Sequence, residues 1–186
     1  PPMRVIAGRF KRRTLLSPSW DGLRPTSDRL RETLFAVLGD RVRGARLLDG
    51  CAGTGAVGIE AISRGAAEVV FVEEDARAVA LIKRNLERCG EHLPAVVIRG
   101  RLPRVLDHRP PVPFDLAMLD PPYEASDIDE ILTGTATHLA PTGTLVLERA
   151  RRTPVTVPPT LVSTRQLRAG SSVLEWFEPV TVGHEQ

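Results

Sequence analysis

Asp120-Pro121-Pro122-Tyr123 closes the apolar run Phe114 to Leu119 with an acid, two prolines and an aromatic ring. Proline has no N–H to give a sheet ladder, so a strand must stop there. What remains is a rigid corner with three chemical features: a carboxylate, a fixed carbonyl and an aromatic face. Such a corner suits an exocyclic nucleobase amine. The lone pair of that amine is delocalised into the ring and must be turned outward before it can attack an electrophilic carbon. Acceptors that hold both amine hydrogens do this, and the Asp120 carboxylate and Pro121 carbonyl are such acceptors. Pro122 keeps the corner stiff, so the acceptors need no reorganisation. Tyr123 offers a face on which an extruded base can stack.

A second group of residues precedes the corner. The stretch LLDGCAGTGAVGIE contains Gly53-x-Gly55-x-x-Gly58 between a short apolar run and a helical pattern. Glycines there let a ligand approach backbone at a helix N-terminus. Glu73 follows Gly53 by twenty residues at the end of VVFVE, where an acid binds ribose hydroxyls. A nucleoside-containing cofactor is expected. Asp49 leaves the strand before the glycines, and a carboxylate there repels a pyrophosphate. It suits an ammonium-bearing ligand such as S-adenosylmethionine. Cys51 and Thr54 lie in the same loop, and Glu74 follows Glu73; all three count with the cofactor site. Cys51 and Cys89 have no metal or redox spacing, and the four histidines have no ligand spacing, so no metal site is expected.

These residues need a scaffold that brings strand ends together. Apolar runs at 46–50, 68–74, 95–100, 114–119 and 143–150 alternate with helical patterns at 56–65, 75–90 and 125–139. A weak helix is expected at 102–107 and a hairpin turning at 169–172. This alternation implies an α/β fold, a mostly parallel sheet with helices on both faces and an antiparallel ending. Asp49, Gly53, Glu73 and Asp120 then share the carboxyl ends of the strands, where open α/β sheets bind ligands. Residues 3–16 read as two short strands around Gly8. Residues 28–38 read as a helix capped by Thr26 or Ser27, with Leu30, Leu34, Val37 and Leu38 on one face and Gly39 ending it.

Charge is uneven. Residues 1–46 hold eleven Lys or Arg against four Asp or Glu, and the rest hold fourteen against nineteen. A basic arm on a mildly acidic body points to a polyanion partner. No apolar run is long enough to span a membrane, and cysteine usage suits a reducing, cytoplasmic setting. The expected division is a basic extension over 1–45 that contacts RNA, a core over 46–180 and a frayed tail over 181–186. A monomer is expected. Four activities compete: methyl transfer to an RNA amine; methyl transfer to a DNA or protein-glutamine amine; nicotinamide oxidoreduction, which Asp49 and the proline corner disfavour; and non-catalytic RNA binding on the same fold.

The segments MRVIAGRFKRRTL, LRPTSDRLRETLF, LDGCAGTGAVGIEAISRGA, VVFVEED and FDLAMLDPPY resemble the bacterial 16S ribosomal RNA guanine-N2 methyltransferase family, over Met3 to about Tyr123. The resemblance implies a Rossmann-like class I methyltransferase with a seven-stranded sheet. It implies methylation of one guanine of 16S rRNA within the small ribosomal subunit or a late assembly intermediate, with S-adenosylmethionine as cofactor. It places Asp49, Gly53 and Gly55 at the methionine end of that cofactor and Glu73 at its ribose. Asp120 to Tyr123 form the catalytic corner. Arg24 and Thr26 lie near the cofactor or target pocket and, with Arg29, count among the RNA-binding residues, and Arg4, Arg9, Lys11, Arg12 and Arg13 meet RNA phosphates. Two departures stand out. Arg101 occupies the place of an acid that contacts the adenine amine, and Cys51 replaces a bulky aromatic.

Overall fold

A computed structural model describes residues 2–23, 25–122 and 127–181. Seven strands form one sheet: β1 (Arg46–Gly50), β2 (Glu68–Glu73), β3 (Ala95–Arg99), β4 (Phe114–Leu119), β5 (Leu139–Ala150), β6 (Leu161–Ala169) and β7 (Ser172–Pro179). Their order is β3-β2-β1-β4-β5-β7-β6. The first five run parallel, and β7 joins β5 and β6 antiparallel. The chain reverses direction from β3 to β4 across β1, which leaves a crevice above the β1 and β4 ends. The alternating pattern anticipated the mostly parallel sheet and its antiparallel ending, and the arrangement is the Rossmann-like class I methyltransferase fold that the family resemblance implied.

Helices α1 (Asp28–Leu38), α2 (Ala56–Ser63), α3 (Ala76–Cys89), α4 (Arg104–Asp107) and α5 (Ile128–Ala136) cover the faces. Side chains alternate across a strand, so each buried strand feeds two cores. Leu47, Phe71, Met118 and Val146 meet α1, α2 and α3 on one side. Leu48, Val70, Leu119 and Leu147 meet α4 and α5 on the other. Ser27 caps α1 by accepting the Leu30 N–H at 3.1 Å, and Gly39 ends it at φ 53°. Of the expected tail, residues 182–186 lie outside the described residues.

The arm departs from the two strands expected for residues 3–16. Only the Arg4–Thr14 bridge pairs in strand fashion. The reason lies in where its backbone hydrogen bonds go. The carboxylate of Glu60 on α2 accepts the Ile6 and Ala7 N–H groups at 2.9 and 3.0 Å. Ser63 Oγ accepts the Phe10 N–H at 3.0 Å, and the Ser63 carbonyl accepts the Arg9 N–H at 3.0 Å. Asn85 on α3 binds both the N–H and the carbonyl of Leu16. Around the bridge the arm pairs with itself, Val5 N–H to the Arg13 carbonyl at 3.0 Å and Leu15 N–H to the Met3 carbonyl at 2.8 Å, and beyond it groups of the core take the place of cross-strand partners. Met3, Val5, Phe10 and Leu15 are buried in the same cluster as α1 and α2. Arg31 and Glu60, both 0% exposed, meet beneath the arm at 3.4 Å, and Arg31 also donates to the Arg4 carbonyl at 2.9 Å. Burial of such a pair is offset by hydrogen bonds to its remaining donors and acceptors, and here all but the Arg31 Nε of the guanidinium nitrogens find a partner. The arm supplies several of those partners.

Gly8 makes the closest approach. Its φ is +82°, and a Cβ there would stand 1.9 Å from the Ser63 carbonyl oxygen, which is backbone and cannot step aside. Gly8→Ala is expected to destabilise the fold by about 2 kcal/mol or more. It should also expose the arm to protease. An unchanged denaturation midpoint would show that the arm has room to re-seat.

Candidate active site

The acids of the sequence pattern converge because their strands end in register. Asp49 pairs with Phe71 and Met118 across β2, β1 and β4, and all three point to the α2 side. Glu73 ends β2 and Asp120 follows β4. The ends open into a cleft of about 1410 Å³. Asp49, Cys51, Gly53, Thr54, Glu73, Glu74, Arg101, Asp120, Pro121 and Pro122 line it, as do Thr26 and Arg29 from the entry to α1. Gly55 stands just behind as the left-handed cap of α2, at φ 80°. Tyr123 and Arg24 lie outside the described residues. Arg4, Arg9, Lys11, Arg12 and Arg13 are exposed on the arm, away from the cleft wall.

Each carboxylate has a local structural task. Asp49, 3% exposed, accepts the Gly58 N–H at 2.9 Å and so caps the first turn of α2. Glu73 accepts the Gly53 N–H at 2.8 Å with one oxygen and the Glu74 and Asp75 N–H groups with the other. This pins the glycine loop to the end of β2. Asn85 donates to the Thr54 carbonyl at 3.0 Å while holding Leu16, so one side chain ties loop to arm. Arg101, exposed, forms an ion pair with Asp127 at the start of α5. Both partners of this pair line the cleft.

Acidic residues outnumber basic ones along the cleft, Asp49, Glu73, Glu74, Asp120, Asp127 and Glu148 against Arg29, Arg101 and Arg168. Burial pushes the Asp49 carboxyl up to about 8, against the pull of the Gly58 N–H, and the Glu73 charge adds to the rise. Burial raises Asp120 well above the ordinary carboxyl range, followed by the charge and hydrogen bond of Glu148 and the charges of Asp49 and Glu73. Cys51, in the left-handed region at φ 57°, is pushed out of reach of ionisation by burial and then by Glu73, Asp120, Asp49 and Glu74. A thiol so placed is no nucleophile. The same field disfavours a pyrophosphate and favours a ligand with positive charge. With Glu73 beside the loop and Val72 and Leu102 as apolar wall, the lining fits S-adenosylmethionine, whose ammonium and sulfonium groups are both cationic.

Among the lining residues that escaped the sequence reading are Glu148, and Arg168, Gly170 and Ser172 at the turn joining β6 to β7. Glu148 had a usable signal. In LLD, VFVE, AMLD and LVLE an apolar run ends in an acid, and these are the ends of β1, β2, β4 and the parallel part of β5. The hairpin residues had none, because their approach depends on a turn that hangs back over the sheet.

Among the described residues no group of acids, cysteines and histidines is placed to hold a metal ion, and no helix is long and apolar enough to cross a membrane. The family model of conserved hypothetical protein 95 matches residues 3–178. Ribosomal RNA small subunit methyltransferase D of Haemophilus influenzae is 32% identical over 160 residues, 84% of this chain and 83% of that one. The solved structure of yhhF from Escherichia coli superposes with a TM-score of 0.83 at 30% identity, covering 96% of this chain and 98% of that one. A hypothetical protein of Thermus thermophilus gives a TM-score of 0.78 at 30% identity, over 96% of this chain and 99% of that one. Likeness over nearly the whole chain makes it a member of that family, related to the small-subunit methyltransferase D proteins, and an S-adenosylmethionine-dependent methyltransferase.

Proposed function

We propose that the enzyme methylates the exocyclic N2 amine of a guanine in 16S ribosomal RNA, within the small subunit or a late assembly intermediate. The observation that carries this reading is the position of Asp120-Pro121-Pro122 at the end of β4, in one cleft with Asp49 and Glu73. Relatives named as small-subunit ribosomal RNA methyltransferases support RNA over DNA or a protein glutamine. S-adenosylmethionine supplies the activated methyl group when bound. Asp49 holds its ammonium end, Gly53 and Gly55 let it approach the loop, and Glu73 takes the ribose hydroxyls. Asp120 and the Pro121 carbonyl accept the two amine hydrogens and turn the nitrogen lone pair outward. Asp120 also stabilises the positive charge that develops on that nitrogen and takes its proton. Pro122 fixes the corner, and Tyr123 stacks on the extruded base.

The test is transfer of labelled methyl from S-adenosylmethionine to small subunits that lack the modification, with nucleoside analysis of the product. Label in N2-methylguanosine supports the reading; no label from folded enzyme overturns it.

The arm would track the RNA backbone through Arg4, Arg9, Lys11, Arg12 and Arg13. Arg13 also donates to the Arg88 carbonyl at 2.7 Å, which makes it a poor probe of charge alone. Lys11 and Arg12 are the cleaner pair. Lys11→Gln with Arg12→Gln should reduce the slope of log affinity against log salt by about 2. An unchanged slope would make the arm a solvated surface only.

A further inference from the structure

Glu148 sits where no motif assigned a residue. The parallel ladder between β4 and β5 ends at Leu119–Leu147, so Asp120 and Glu148 are the next residues on neighbouring strands. Both continue the face of Met118 and Val146, toward α1 and the cleft. Glu148 is 6% exposed and lines the cleft beside Asp120, and its charge acts on the Asp120 carboxyl. Two neighbouring carboxyl groups away from water oppose each other's ionisation. A ligand with adjacent hydrogen-bond donors eases that opposition.

We infer that Glu148 is the base-reading residue: its carboxylate accepts the N1–H of the target guanine while Asp120 and the Pro121 carbonyl accept the N2 hydrogens. This rests on the ribosomal RNA reading above. An ionised carboxylate is an acceptor only. Extruded bases are read by hydrogen bonds to their Watson–Crick edge. Three bases carry an exocyclic amine on that edge. In adenine and cytosine the neighbouring ring nitrogen is itself an acceptor, and it would face the lone pairs of Glu148. Guanine alone places a ring N–H beside its amine. An adjacent pair of acceptors matches that run of donors. Thr26 ahead of α1, Arg29 in its first turn and the β6–β7 turn at Arg168 to Gly170 line the same cleft.

The experiment compares methyl transfer to small subunits reconstituted on 16S RNA with guanine or 2-aminopurine at the methylated position. 2-Aminopurine keeps the N2 amine, but its N1 carries no hydrogen. The wild-type enzyme should prefer guanine by about 100-fold in kcat/KM. Glu148→Gln presents an amide that can donate to an unprotonated N1. It should lose about 100-fold on guanine and bring the ratio to within about 5-fold of unity, with S-adenosylmethionine affinity unchanged. A purely structural role would lower both substrates together and leave the ratio intact, and that result overturns the assignment. Should Glu148→Gln not fold, Glu148→Met removes every acceptor at similar volume; its ratio must also collapse, and a preserved preference overturns the assignment equally. Absence of transfer by the wild type to guanine-bearing subunits would instead overturn the underlying reading of the substrate.

Discussion

Asp120→Ala should lower methyl transfer by about 10³-fold while S-adenosylmethionine binds with nearly wild-type affinity. The separation of the two effects follows from position. Asp120 closes β4, whereas the glycine loop and its acids belong to β1 and β2. Its carboxylate is proposed to act only as the amine hydrogens are drawn away from the nitrogen, a demand absent when cofactor binds alone. Asp120→Asn gives a finer reading. It keeps one carbonyl acceptor but no negative charge, so an intermediate loss is expected, about 10-fold to 100-fold. Neither variant should cost stability. Burial and the neighbouring charge of Glu148 already hold the Asp120 carboxyl well above its ordinary range. Removing one of two neighbouring acids relieves that opposition. Single-turnover transfer beside a cofactor titration checks both claims. Full turnover in Asp120→Ala would remove the residue from the chemistry, and a parallel loss of cofactor affinity would make it a pocket wall.

Much of this site was legible because its signals are local. Gly53 and Gly55 announce a turn whatever surrounds them, at φ 58° and 80°. Asp49, Glu73 and Asp120 each terminate an apolar run, and parallel strands must bring such ends to one edge. The arm was less legible. Its strand-like alternation is real, but its partners are Glu60, Ser63 and Asn85, polar residues inside helices that read as ordinary surface positions. Arg31 illustrates the same limit. Within a helix rich in charge it looks solvated, yet it is fully buried against Glu60. Burial of a charge depends on which distant segment covers it, and no period in the sequence records that. Glu148 lay between these cases: the strand-end pattern marks it, but its approach to Asp120 arises only once β5 lies beside β4.

Asp49 carries the other large effect, and its sign can be worked out. The folded carboxyl is raised from 3.8 to about 8, chiefly by burial. Between those values the folded protein keeps a proton that the unfolded chain has released, so the stabilising contribution is complete below about 4 and fades as pH rises toward 8. Asp49→Asn retains an oxygen for the Gly58 N–H and has no proton to lose. It should match the wild type at about pH 4 and exceed it by roughly 2 kcal/mol or more at about pH 8.5. Cofactor binding should move the opposite way. A cationic ligand beside Asp49 favours the ionised form, so wild-type affinity should rise with pH up to about 8 and binding near neutrality should release a proton. Asp49→Asn should bind about 10-fold to 100-fold more weakly, with that pH dependence gone. Calorimetric titration in two buffers of different ionisation enthalpy reads the proton, and thermal melts at the two pH values read the stability. A wild-type affinity that is flat from about pH 6 to about pH 8.5 would mean that Asp49 only caps α2, and the ammonium must then find its partner among the other acids of the cleft.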